Sequence, residues 1–335
     1  MRQTLQDQER LCGVDEAMVD ILARRPALED IATSYSLLLK ARLAAQAALP
    51  GASLLDAAAI TAAQANMASG RPLLDGLFET LATPAPELLA RNRAAAGHML
   101  PAAAQAFPNL AADLARVAVR LADTSAAQDT GDSLAAELLA AIGPEPDPAT
   151  TTTKGTKASQ RTEQRTMEAL AAALDLPGPA LHMATTETLM AVLAHEAILL
   201  GRHVDQGAWQ RGYCPVCGGG PDVGLLATEP QAGTLWLHCG QCSALWSFPG
   251  MRCPACDCVD PTRLEVLRAE DDTAAAHEGA PCCRDCRTYY PAVKLAELAG
   301  RINLEMLPIG LLHLDLLAQE RGLTPVAPSP WNTLA

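Results

Sequence analysis

Four Cys-x-x-Cys pairs, Cys214/Cys217, Cys239/Cys242, Cys253/Cys256 and Cys283/Cys286, fall within residues 213–290 of a 335-residue chain that has only eleven cysteines. Two thiolates three positions apart can grip one ion from a tight turn, and a second such turn completes a tetrahedral four-sulfur shell. Four pairs therefore make two sites. The stretches between the first and second pairs and between the third and fourth hold 21 and 26 residues, whereas only 10 separate the second pair from the third. This spacing favours pairing first with second and third with fourth. An inner site from the second and third pairs, closed by an outer one, is sterically allowed as well.

The flanking residues read as metal knuckles on hairpins. Pro215 and Pro254 lie inside turns, and Gly218 follows Cys217, where a positive φ lets backbone N–H groups point at sulfur. Between the pairs run short strand-like segments, residues 233–238 and 245–248. Seven of the eleven aromatic residues (Trp209, Tyr213, Trp236, Trp246, Phe248, Tyr289 and Tyr290) cluster here, as expected where a small metal-nucleated module has little other core. Trp and Tyr in excess of that need would be contact residues. A disulfide frame is the competing reading, but residues 1–10 contain no apolar signal core, and a cytoplasmic chain keeps such pairs as metal or redox sites. The expectation is two metal ions per chain, Fe or Zn, since four thiolates suit Zn²⁺ and a single rubredoxin-like iron equally well.

Charge narrows the partners. The net charge is −13, and residues 201–301 carry nine Lys/Arg against twelve Asp/Glu, a poor match to a phosphate backbone. Nucleic acid is therefore not expected. The basic residues Lys154, Lys157, Arg161 and Arg165 read as a solvated linker. Apolar runs at 191–200 and 311–317 are short and interrupted by charge, so membrane insertion is not expected either.

The first two hundred residues are rich in Ala and Leu with helical periodicity. Helices are expected after Pro26 until Pro50, from about Ser53 to Ser69, from Pro86 to His98, from an N-cap at Asn109, from Ser133 to Ile142, from Gln160 to Leu174, and from Thr186 to His203. A Pro/Thr-rich break at 143–159 reads as an exposed loop within one α-domain, with a boundary between two helical domains as the second reading. The tail from Leu295 to Arg321 reads as a helix stopped by Gly322. The fold class is α+β. An α-helical domain (1–207) precedes two rubredoxin-like or zinc-ribbon modules (208–250 and 251–335), the second including the C-terminal helix.

Other motifs carry less. His195-Glu196 lacks the second histidine of a helical zinc-protease motif, because Leu199 stands there. His238 adjoins a pair that is already complete. Cys258 and Cys282 are spare thiols, or ligands if the register shifts, and Cys12 is a small apolar residue in a helical region. No Ser/His/Asp constellation can be placed from the sequence.

Tyr213-Cys-Pro-Val-Cys217-Gly, Leu237-His-Cys239-Gly-Gln-Cys242 with Trp246 following, Arg252-Cys-Pro-Ala-Cys256, and Cys283-Arg-Asp-Cys286 with Tyr289-Tyr290 resemble, in order and spacing, the formate dehydrogenase accessory protein (FdhE) family. Arg287 stands where that family usually has Gly. The resemblance implies a cytoplasmic maturation factor, not an enzyme, that binds the catalytic subunit of formate dehydrogenase before export and carries two metal modules at Cys214, Cys217, Cys239, Cys242, Cys253, Cys256, Cys283 and Cys286. Alternatives are iron or thiols that change redox state during client maturation, or a ribbon that binds another protein. A homo-oligomer is compatible with the sequence.

Overall fold

The computed structural model describes residue 5 and residues 9–75, 86–122, 168–169, 171–172, 175–227, 234–269, 276–298 and 300–333. The expected helices at 133–142 and 160–174, the Pro/Thr-rich break and the basic run lie wholly or mostly outside the described residues. The chain divides into two compact units, one formed by Thr33–His203 and the other by Met1–Ala32 together with Val204–Ala335.

Helices α1 (Val14–Arg24), α2 (Glu29–Ala48), α3 (Ala57–Met67), α4 (Pro86–Ala106), α5 (Ala111–Ala122) and α6 (Gly178–Leu200) precede the strands. Several bounds differ from the sequence reading. Helix α3 begins after Asp56, whose Oδ1 accepts from the Ala59 N–H at 2.8 Å, while Ser53 turns its hydroxyl to Glu196 instead. Helix α4 runs on through Pro101 to Ala106, forgoing one backbone bond because its other face is packed against α5 and α6. Asn109 is no N-cap; it sits in a 3-10 turn, Pro108–Leu110, ahead of α5.

Helix α6 is apolar and long enough to cross a membrane by composition, yet 72% of that stretch is buried within the protein. It is also pinned by charge. Glu196, fully buried, accepts from Arg91 Nη1 at 2.6 Å, Ser53 Oγ at 2.6 Å and the Leu54 N–H at 3.0 Å. Glu187 takes Arg42 at 2.8 Å. A carboxylate so enclosed survives because each oxygen is matched by donors. His195 Nε2 lies 2.7 Å from the Pro50 carbonyl, a packing role that leaves no ligand function for it.

The other unit is built on one eight-stranded sheet in the order β3-β2-β1-β7-β5-β6-β8, with β4 also paired to β5. Strands β1 (Pro221–Leu226), β2 (Leu235–Cys239) and β3 (Leu245–Phe248) form an antiparallel ribbon. Strands β4 (Leu264–Leu267), β5 (Glu278–Cys283) and β6 (Thr288–Tyr289) repeat that arrangement. In each ribbon a first knuckle precedes the first strand and a second knuckle forms the turn between the second and third. Strand β7 (Ala292–Lys294) joins the two, pairing parallel to β1 and antiparallel to β5. A pseudo-repeat larger than the cysteine pairs is therefore present in the backbone.

The tail is not one long helix. Ile302 forms a parallel bridge with Leu11, and helices α7 (Leu307–Gly310) and α8 (Leu312–Glu320) begin only after it, before β8 (Thr324–Pro325) pairs with β6. Gly322 ends α8 with φ +72, as expected of a C-terminal glycine. Cys12 lies in the extended segment beside this bridge and not in a helix, its N–H bonded to the Ile302 carbonyl at 2.9 Å. One apolar core, including Leu5, Val223, Leu225, Tyr289, Ile302 and Leu314, underlies both ribbons. Helix α1 is tied to β5 by charge: Glu278, buried, accepts from Arg24 and Arg25, each at 2.6 Å.

Candidate metal centres

The four pairs meet two by two. The thiol sulfurs of Cys214, Cys217, Cys239 and Cys242 all lie within 4.8 Å of one another, and so do those of Cys253, Cys256, Cys283 and Cys286. The first pair meets the second and the third meets the fourth, so the inner-and-outer arrangement is not the one adopted. In the first cluster Cys214 and Cys242 are 3.5 Å apart, as are Cys217 and Cys239. In the second, Cys253 and Cys286 are 3.6 Å apart and Cys256 and Cys283 3.7 Å. Four sulfurs held about 2.3 Å from a central ion span tetrahedral edges of about 3.8 Å, whereas a disulfide brings its sulfurs to about 2.0 Å. Every cysteine is free, and the spacing fits an ion and excludes a disulfide frame in this state.

One backbone device builds all four knuckles. The residue after the second cysteine of each pair has positive φ: Gly218 at 82°, Ser243 at 59°, Asp257 at 60° and Arg287 at 59°. Its N–H returns to the carbonyl of the first cysteine, at 2.9 Å for Gly218, 3.0 Å for Ser243, 3.0 Å for Asp257 and 2.9 Å for Arg287. The turn thereby aims backbone donors at sulfur. The N–H groups of Val216, Gly219 and Gln241 lie 3.4 Å from the sulfurs of Cys214, Cys217 and Cys239. Such donors stabilise thiolate, which is the form a metal takes up. Arg287 departs from glycine at this position and still adopts the required φ, its guanidinium anchored on the Gly322 carbonyl at 3.0 Å.

The two clusters differ in exposure. All four cysteines of the first are buried, while in the second Cys256 and Cys286 are half-buried. Of the seven aromatics in this segment, Tyr213 and Trp236 are half-buried and the other five are enclosed. Trp209, Trp246, Phe248, Tyr289 and Tyr290 are buried, and the indole N–H groups of Trp209 and Trp246 donate to the carbonyls of Tyr213 and Arg211 at 2.9 and 3.1 Å. These five rings are core residues, and Tyr213 and Trp236 are the two of the seven that reach solvent.

The remaining candidates are placed clearly. His238 points away from the sulfurs, its Nδ1 2.7 Å from Asp222 Oδ1. Cys282 is turned to Glu265, 3.6 Å from Oε1, which rules out a shifted ligand register. Cys258 is different: it lies beside the second cluster, grouped with Cys283 and Asp285. Asp285 carried no signal in the sequence, because one acid within a knuckle reads as a solvated surface residue.

A helical unit joined to a duplicated knuckle ribbon with two four-thiol clusters defines a metal-module protein with an α+β fold. No family model matches the chain. It is similar to the FdhE homologues of Aquifex aeolicus, 29% identical over 119 residues (35% of this chain, 41% of that protein), and of Shewanella oneidensis, 30% identical over 138 residues (40% and 44%). It is 28% identical over 122 residues to the FdhE protein of Escherichia coli O1:K1 (36% and 38%). The chain thus spans about two fifths of the length of the curated relatives it matches. Its fold is similar to the crystal structure of the FdhE protein from Pseudomonas aeruginosa, with a TM-score of 0.54 at 22% identity over 94% of this chain and 93% of that one. The chain is thus similar to FdhE proteins over part of its sequence and shares the fold of one of them.

Proposed function

We propose that the chain is an accessory factor for formate dehydrogenase that acts in the cytoplasm. It binds the catalytic subunit before export and turns over no substrate of its own. Its helical portion extends over residues 1–207 and its two modules over 208–250 and 251–335. Cys214, Cys217, Cys239 and Cys242 hold one metal ion, and Cys253, Cys256, Cys283 and Cys286 hold another, each Fe or Zn. The observation that carries this reading is the pair of four-thiol clusters, at tetrahedral spacing, in a chain whose curated relatives are FdhE proteins.

Physical reasons support the division of labour between fold and metal. The knuckles place three backbone N–H groups against the sulfurs of the first cluster and bury all four, a closed shell of the structural type. The half-buried second cluster favours a further reading, in which its ion or thiols change state while the client is bound.

The test is made in the host. Deleting the gene should abolish formate oxidation and leave catalytic subunit that co-purifies with the accessory protein once that protein is restored. The Cys283→Ser/Cys286→Ser variant, shown by elemental analysis to lack one metal equivalent, should fail to rescue. Unchanged formate oxidation in the deletion strain removes the client, and full rescue by the metal-deficient variant removes the role of the second site.

A further inference from the structure

The two ribbons repeat one backbone, so their differences at matched positions are informative. In the first, the residue after the positive-φ turn is Gly219, and a Cβ built there would lie 2.6 Å from Gln241 Oε1 and 3.2 Å from the Cys239 sulfur. That position thus faces a cysteine of the opposite knuckle and the side chain two residues beyond it. In the second ribbon the matching residues are Cys258, Cys283 and Asp285. Where the first ribbon has a glycine and a neutral amide, the second has a thiol and a carboxylate.

These donors converge. One donor atom from each of Cys258, Cys283 and Asp285 lies within 4.8 Å of the other two, and the Cys258 sulfur is 3.3 Å from Asp285 Oδ2. The other carboxylate oxygen is held by Arg263 Nε at 2.8 Å, which fixes the group so that Oδ2 faces the sulfurs. Cys258 is fixed by its own backbone, since its carbonyl accepts from the Cys253 N–H at 2.9 Å. A divalent ion among four thiolates leaves two negative charges in the second cluster, and Asp285 adds another beside it. Arg263 offsets one of these, and the remaining field favours a further cation.

We propose that Cys258, Cys283 and Asp285 form an additional, solvent-facing cation position that shares the Cys283 sulfur with the second four-thiol site and takes a thiophilic divalent ion such as Zn²⁺ or Cd²⁺. This rests on the reading of the second cluster as a metal site. Binding releases the Cys258 proton to solvent, the Cys283 thiolate bridges two ions, and no oxidant or reductant is needed. Three protein donors leave one coordination position open, which water or an incoming thiolate fills. The buried first site has no counterpart, because glycine and glutamine replace the extra donors.

The full chain, exchanged against ¹¹³Cd²⁺ under reducing conditions, tests this by ¹¹³Cd NMR and metal analysis. Two resonances of four-sulfur type are expected, followed at higher Cd²⁺ by one shifted in the direction of fewer sulfurs, with coupling to one of the first two through the shared thiolate. Cys258→Ala and Asp285→Asn should each lose that last resonance and one metal equivalent, leaving the four-sulfur signals in place. Wild-type protein with both four-sulfur signals and no further bound ion overturns the additional position, as does its survival in Cys258→Ala. Absence of the four-sulfur signals themselves overturns the metal reading on which it rests.

Discussion

Replacing Asp315 by Asn should stabilise the protein by an amount that grows with pH. Asp315 lies on α8, almost wholly buried, and accepts the Tyr289 hydroxyl at 2.7 Å. Burial pushes its carboxyl up from 3.8 to about 7; nearby Asp222 adds to this, and the Tyr289 hydrogen bond opposes it. A carboxyl whose folded value exceeds its unfolded one holds its proton more tightly in the fold. Folding therefore loses stability as pH rises from the unfolded value toward about 7, and the full loss is present above that. The interval corresponds to roughly 4 kcal/mol in all, of which about 1.4 kcal/mol falls between pH 6 and the plateau. Asparagine keeps an acceptor for Tyr289 and carries no charge. Urea unfolding of metal-loaded wild type and Asp315→Asn, followed by circular dichroism, should show the gap widening by about 1.4 kcal/mol from pH 6 to 8.5, most of it before pH 8. A gap constant with pH, or one that narrows, would refute the argument that Asp315 is ionised against a burial penalty.

Arg91→Met should cost about 3–5 kcal/mol of stability in urea unfolding, because it strands the buried Glu196 carboxylate, and Arg91→Met with Glu196→Gln should recover a substantial part. Gly218→Ala should destabilise the first ribbon by roughly 1–2 kcal/mol, the cost of placing a side chain at its φ of 82°, whereas Ser243→Gly should be neutral or mildly stabilising; chelator-induced metal release read against time separates the two.

The parts of this architecture that were legible in the sequence are those with a local signature. The cysteine spacing announces each knuckle, and Pro215 and Gly218 announce the first turn. The other three positive-φ residues were hidden because Ser243, Asp257 and Arg287 carry no such mark; their conformation is imposed by the return hydrogen bond to the first cysteine and by closure of the four-thiol cluster. Leu295, Leu298 and Ile302 recur at helical spacing, yet Ile302 is an extended residue bridged to Leu11, so the same apolar pattern served a core contact far away in sequence. Strand β7 left no trace either, since its partners β1 and β5 are supplied by different ribbons. The charged pins of α6 were equally hidden: Arg42 and Glu187 are 145 residues apart, and only the fold makes them neighbours.

The matched backbone of the two ribbons turns these hidden features into an argument about role. If both clusters served only to hold a hairpin, identical surroundings would serve equally well, and a buried shell is the more stable solution because it excludes competing ligands. The first cluster has that form, with every cysteine buried and small or neutral neighbours. The second departs from it in each respect: two cysteines are half-buried, and a thiol and a carboxylate converge on a third. Exposure weakens a structural shell, so its retention beside extra donors fits a site that exchanges something with its surroundings, an ion or a coordinating group. On this reasoning the second knuckle pair, Cys253/Cys256 with Cys283/Cys286, is where loss of metal should impair function before it impairs folding, and the first pair is where the order should reverse.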